Sequence, residues 1–61
     1  MHRDVRASDA ERDAVVDRLR RALSQGRLTV DEYDTRVTAA YEARTRGELA
    51  ALTQDLPGSL W

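Results

Sequence analysis

Few side chains in this 61-residue chain could carry out chemistry. His2 is the only histidine and there is no cysteine, so a histidine general base or a zinc site would lack its usual companions. The three serines, Ser8, Ser24 and Ser59, have no neighbouring base that would activate a hydroxyl group. We therefore predict no enzymatic activity, no cofactor and no bound metal.

Two groups of acidic residues remain as candidates for acid–base or calcium chemistry, one between residues 9 and 17 and one between residues 31 and 34. The order of oxygen ligands around a central glycine that defines an EF-hand is missing from both. Acidic residues in the first turns of a helix also complement its dipole. The glycines at positions 26, 47 and 58 are isolated and form no phosphate-binding loop. We interpret the acidic groups as solvated helix faces.

The charges nearly cancel, with ten basic residues, all arginine, against eleven acidic ones. This balance gives no general attraction to nucleic acid or to an anionic membrane. One basic edge around the first turn keeps a nucleic-acid-binding regulatory module open as the alternative function: Arg18, Arg20, Arg21 and Arg27. The helix that would follow this edge opens with Asp31, Glu32 and Asp34, which would repel phosphates.

The stretch from residue 26 to residue 33 predicts the end of one helix, a short turn and the start of the next. Gly26 can take the left-handed conformation that ends a helix. Thr29 and Glu32 have the spacing of a capping box, and Leu28 and Tyr33 have that of a hydrophobic staple.

The same capping-box spacing occurs at Ser8 and Glu11 and again at Thr45 and Glu48. Three helices are therefore predicted, from residue 9 to about 25, from 30 to 43 or 44, and a short one after residue 45. We expect an all-α fold in which two antiparallel helices form a hairpin and the short third helix packs across its open side. Residues 1–7 should form a flexible lead-in, residues 8–57 the domain and residues 58–61 a C-terminal tail.

Helical spacing also predicts which residues point inward. In the first helix these are Val15, Val16, Leu19, Ala22 and Leu23. In the second helix they are Val30, Tyr33, Val37, Ala40 and Tyr41, and the third segment contributes Leu49, Leu52 and Leu56.

Two arginines, Arg12 and Arg44, project onto these apolar stripes. A polar group there needs a partner, because an unpaired one loses its hydration. We expect Arg12 or Arg44, favoured over Arg36, to bond Asp55 or Asp34 and so pin the third helix to the hairpin. Mutating Asp55 to alanine should then lower the melting temperature.

So small a chain should have only about 3–5 kcal/mol of net stability, which invites stabilisation by a partner. Tyr41, Leu60 and Trp61 are the candidate interaction residues, since leftover apolar surface marks protein contacts. The function predicted from the residues is a non-enzymatic protein-interaction or oligomerisation module, with no small-molecule substrate.

Four runs of sequence resemble one family: RASDAER at 6–12, GRLTVDEYDTRV at 26–37, ARTRGEL at 43–49 and DLP at 55–57. Together they resemble the DUF1707 family, and the Gly26–Tyr33 corner is similar to the short helical SHOCT domains. The resemblance implies an actinobacterial module of undefined function, often joined to membrane segments in longer proteins. It also implies protein contacts or self-association. The expected location is the cytoplasm or the inner face of the membrane, with no membrane insertion by this chain.

Overall fold

The computed structural model describes residues 5–57 of the chain. This part contains three helices: α1 (Asp9–Ser24), α2 (Val30–Glu42) and α3 (Arg46–Ala51). Helices α1 and α2 form the hairpin, and the six-residue α3 packs against α1. The described residues contain no strand apart from one isolated bridge, so the predicted all-α fold is confirmed.

All three predicted capping boxes are present. Ser8, Thr29 and Thr45 each accept a hydrogen bond from the backbone N–H three residues on, and the glutamate at that position bonds back to the cap. The predicted left-handed glycine is also confirmed, because Gly26 has φ 76°. There the N–H of Arg27 reaches the carbonyl of Ala22 at 2.9 Å, which closes the end of α1.

The core consists of two adjoining apolar clusters. Leu19, Ala22 and Leu28 form one, with Tyr33 packed against it as the predicted staple requires. Val16, Ala40, Ala43 and Leu49 form the other. Leu19 is fully buried and is the largest side chain with no exposed surface among the described residues.

The prediction that Val30 and Tyr41 point inward is wrong. Their exposed fractions are 63% and 57%, although the core does contain Ala40 and packs against Val37. Both lie at the edge of the helical stripe, and α3 packs against α1 instead of covering them. Helix α2 also exposes five polar residues, namely Asp31, Glu32, Thr35, Thr38 and Glu42.

Residues 5–7 differ from the flexible lead-in that was expected. The carbonyl of Val5 accepts from the N–H of Arg46 at 2.8 Å, and the N–H of Ala7 donates to the carbonyl of Arg44 at 2.9 Å. These bonds frame an antiparallel bridge between Arg6 and Thr45. Pairing over so great a separation in sequence leaves no local pattern, so helical periodicity could not reveal it.

Several predictions lie outside the described residues, namely those on His2, Ser59, Leu60 and Trp61. Within residues 5–57, no helix combines the length and the apolar character that crossing a bilayer would require.

Candidate functional site

An open groove of about 390 Å³ runs between α1 and the segment that contains α3. Each wall supplies four residues at the same helical spacing. The wall from α1 consists of Glu11, Ala14, Val15 and Arg18, and the opposite wall consists of Arg46, Leu49, Ala50 and Thr53. Spacing of three, four and seven residues places the first set on one face of α1. Of the second set, Arg46, Leu49 and Ala50 lie on α3, and Thr53 lies in the turn that follows it. We call this feature the α1–α3 groove.

The floor of the α1–α3 groove is apolar. Leu49 is buried and Val15 is half-buried, while Ala14 and Ala50 are exposed on the two walls. Alanine side chains leave room for another backbone to approach closely. The groove therefore offers a shallow apolar seat with no reactive group at its centre.

One end of the groove is electrically neutral. The guanidinium of Arg46 lies 2.6 Å from a carboxylate oxygen of Glu11. A backbone hydrogen bond from Ser8 lowers the pKa of Glu11, and the charge of Arg46 lowers it further. Glu11 thus joins the cap of α1 to the start of α3.

The other end of the groove carries Arg18, whose charge has no carboxylate partner within the described residues. Its Nη2 donates to the carbonyl of Pro57 at 3.0 Å, and its Nη1 lies 3.4 Å from the hydroxyl of Thr53. Its Nε is buried and has no acceptor. This end of the groove is therefore positive and incompletely satisfied.

The sequence grouped Arg18 with a basic edge, and the structure separates it from that edge. Arg20 and Arg21 remain near each other, but both pair with Asp17, at 3.2 and 3.3 Å. The Nε of Arg27 donates to the side-chain oxygen of Gln25. Because Arg18 turns toward Thr53 and Pro57, it does not extend the edge.

Helix α2 presents an acidic face with two exposed apolar side chains. Val30, Asp34 and Tyr41 lie within 40° of each other when projected at 100° per residue, and Asp31 and Glu42 flank them. None of these three carboxylates forms an ion pair within residues 5–57. We call these five residues the α2 outer face.

Arg12 has a different partner from the one predicted. Its Nε and Nη2 both donate to the carbonyl oxygen of Ala43, at 3.1 and 2.9 Å, and its Nη1 donates to Asp9 at 3.0 Å. Ala43 is buried and follows the last residue of α2. Arg12 thus satisfies a carbonyl where that helix ends and fastens α1 to it.

Arg36, the least favoured of the three arginines, is the one that bonds Asp55. Its two terminal nitrogens reach the two carboxylate oxygens at 2.7 and 2.9 Å, and one also donates to the carbonyl of Leu52 at 3.1 Å. The expectations for Arg44 and Asp34 are wrong, because the side chains of both are exposed and have no bonding partner among residues 5–57. Helix α2 ends at Glu42, so Arg44 is not on its inner stripe.

The Arg36–Asp55 bond makes a pH-dependent contribution to stability. Arg36 lowers the pKa of Asp55 below the ordinary 3.8, so the stabilisation is complete above that value and is lost as the pH falls through the lowered pKa. We expect Asp55→Asn to lower the melting temperature by a few degrees at neutral pH, with a difference that shrinks in acid. Thermal unfolding at several pH values measures this.

Asp13→Asn is the matched control, because Asp13 is exposed on α1 and has no partner in the described part of the chain. It should leave the melting temperature unchanged throughout the pH range. An equal loss from the two variants would show that Arg36 contributes nothing specific to Asp55.

The described residues contain no group of three histidine, cysteine, aspartate or glutamate side chains that could hold a metal ion. The α1–α3 groove and the α2 outer face present apolar surface and charged groups. Sequence reasoning assigned no role to this groove, although residues 11, 14, 15, 18 and 46, 49, 50, 53 show the same spacing. The spacing does not show that the two sets face each other, because this depends on how the helices pack.

Comparison with known proteins finds a matching family model and two similar proteins. A family model described as "DUF1707 SHOCT-like domain" matches residues 5–57. Two Mycobacterium tuberculosis proteins, uncharacterized proteins MT0994 and Rv0966c, are each 44% identical to the chain over 54 residues. The match covers 88% of this chain and 27% of each relative. No solved structure matches.

Proposed function

This chain belongs to the DUF1707 family of SHOCT-like domains, and we propose that it is a non-enzymatic protein-interaction module that binds a polypeptide segment in the α1–α3 groove. The relatives are longer proteins, of which the chain spans about a quarter. The proposed location is the cytoplasm, because a chain without cysteine suits a reducing compartment.

The observation that supports this proposal is the open, apolar α1–α3 groove. A six-residue helix is too short to cover α1, whose sixteen residues extend about 24 Å at 1.5 Å per residue. Ala14 and Ala50 therefore remain exposed beside Val15 and Leu49. A helix that fills such a groove would use apolar anchors at helical spacing, as in known helix-in-groove complexes.

The nucleic-acid alternative receives less support. Its basic edge is reduced by the inward turn of Arg18 and by the pairing of Arg20 and Arg21 with Asp17. The neighbouring α2 outer face would repel phosphates.

The test is a selection of displayed peptides on the immobilised domain, followed by binding measurements on the variant Ala50→Glu. This change places a charge on the exposed wall of the groove. Ala51→Glu is the matched control, since Ala51 is exposed on the same helix and does not line the groove. We expect peptides with apolar anchors that bind the original domain and Ala51→Glu, and bind Ala50→Glu at least tenfold more weakly.

Peptides that bind all three proteins equally would contradict the groove as the binding surface. A selection that enriches no sequence, even when repeated with longer helical peptides, would contradict the proposed function itself.

A further inference from the structure

The α1–α3 groove and the α2 outer face are complementary in charge and in shape. The groove has an apolar floor and an unpaired positive charge at Arg18. The α2 outer face has two protruding apolar side chains and three unpaired negative charges. Within residues 5–57, Arg18 has no carboxylate partner and the three carboxylates have no basic partner. Each surface therefore supplies the opposite charge that the other one lacks.

The α2 outer face is longer than the α1–α3 groove, whose wall on α1 extends about 10 Å from Glu11 to Arg18. Val30 and Tyr41 are eleven residues apart, which corresponds to about 16 Å along the helix axis. Asp34 lies between them on the same side of the helix. Along this face the carboxylate of Asp34 therefore lies between two apolar anchors, Val30 and Tyr41.

Arg18 provides the charge that such a helix would meet. Its buried Nε has no acceptor, and its contact with Thr53 is long at 3.4 Å. A buried donor without a partner is costly, and a charged acceptor makes a stronger bond than a neutral one. A carboxylate near Arg18 would therefore form a stronger interaction than one near Arg46, whose charge is already neutralised by Glu11.

We propose that the α2 outer face of a second copy of this chain occupies the α1–α3 groove. This inference rests on the proposed function. Tyr41 is the anchor on the apolar floor, and Asp34 is the carboxylate that approaches Arg18. Val30 is the anchor that packs about 6 Å beyond Asp34, past the end of the groove.

The two surfaces belong to different parts of the molecule, so this contact is head-to-tail. Such contacts leave one groove and one helix face unused at the two ends, and they extend into open chains unless the rotation closes a ring. A symmetric contact between two α2 outer faces is disfavoured, because it would bring Asp31, Asp34 and Glu42 against their own copies.

A mixing experiment with two complementary variants tests this arrangement. Ala50→Glu obstructs the groove and leaves the α2 outer face intact. The double variant Val30→Ser with Tyr41→Ser removes both anchors and leaves the groove intact. All the changed residues are exposed, and circular dichroism verifies that each variant keeps its helical content.

Sedimentation measures the mass of each sample over a hundredfold range of concentration. We expect the unaltered chain and Ala51→Glu to exceed twice the 6.9 kDa of one copy as concentration rises. Each blocked variant alone should remain a monomer. The equimolar mixture should form a dimer and nothing larger, because only one groove and one face can meet.

A mixture that stays monomeric would overturn the head-to-tail contact, as would an unaltered chain that is monomeric at every concentration. Blocked variants that assemble as well as the unaltered chain would also overturn it. None of these results affects groove-specific peptides from the selection described above, so failure of this inference is distinguishable from failure of the proposed function.

Discussion

Leu19→Ala is expected to remove most of the domain's stability at room temperature. Leu19 is fully buried in the cluster with Ala22 and Leu28. Truncating a buried leucine to alanine costs about 2–5 kcal/mol, through lost transfer free energy and the cavity left behind. A domain of this size has only about 3–5 kcal/mol of net stability, so one such change removes most of it.

Urea unfolding followed by circular dichroism, at a concentration at which the chain is monomeric, measures this loss, with Val30→Ala as the matched control. Val30 is also a branched apolar residue, but 63% of it is exposed. The control should change the free energy of unfolding by less than about 0.5 kcal/mol, as exposed substitutions usually do. A similar loss in the two variants would contradict the assignment of Leu19 to the core and Val30 to the surface.

Arg12→Met is expected to lower the free energy of unfolding by about 1–3 kcal/mol, because it leaves a buried carbonyl without a partner. Arg12 supplies two hydrogen bonds to the carbonyl of Ala43, and Ala43 is buried. Methionine retains much of the apolar stem and removes the donors. The loss therefore reports the hydrogen bonds more than the packing.

Arg12→Lys separates charge from geometry at the same position. An ammonium group can donate to the carbonyl of Ala43, but it lacks the planar fork that gives Arg12 two bonds to one oxygen. We expect this variant to recover about half of the loss in urea unfolding. Full stability in Arg12→Met would contradict the role assigned to Arg12.

The helix boundaries could be predicted because their determinants are local. Ser8 and Glu11, like Thr29 and Glu32, are three residues apart and interact wherever the rest of the chain lies. Gly26 likewise acts on the turn in which it stands. Each of these signals can be read from a short window of sequence.

The partners of the arginines could not be predicted, because they depend on how the helices pack. Arg12 reaches Ala43 across 31 positions, and Arg18 reaches Pro57 across 39. Both acceptors are backbone carbonyls, which every residue has and no sequence pattern marks. The expectation that Arg12 bonds Asp55 or Asp34 was therefore wrong, whereas Asp55 was correctly named as an acceptor and bonds Arg36.

The candidate site was hidden for a related reason. Spacing shows that Ala14 and Arg18 share a helix face, but only tertiary packing shows that α3 stops short of covering it. Tyr41 was named both as a core residue and as an interaction residue, and the end of α2 at Glu42 together with the position of α3 leaves it exposed.

Nuclear magnetic resonance shows most directly where one copy of the chain meets another. Amide shifts of the labelled chain would be recorded while unlabelled chain is added over a hundredfold range of concentration. We predict changes at Ala14, Leu49 and Ala50 in the groove, and at Val30 and Tyr41 on the α2 outer face. Changes confined to other surfaces, such as the edge formed by Arg20 and Arg27, or no change at all, would contradict this.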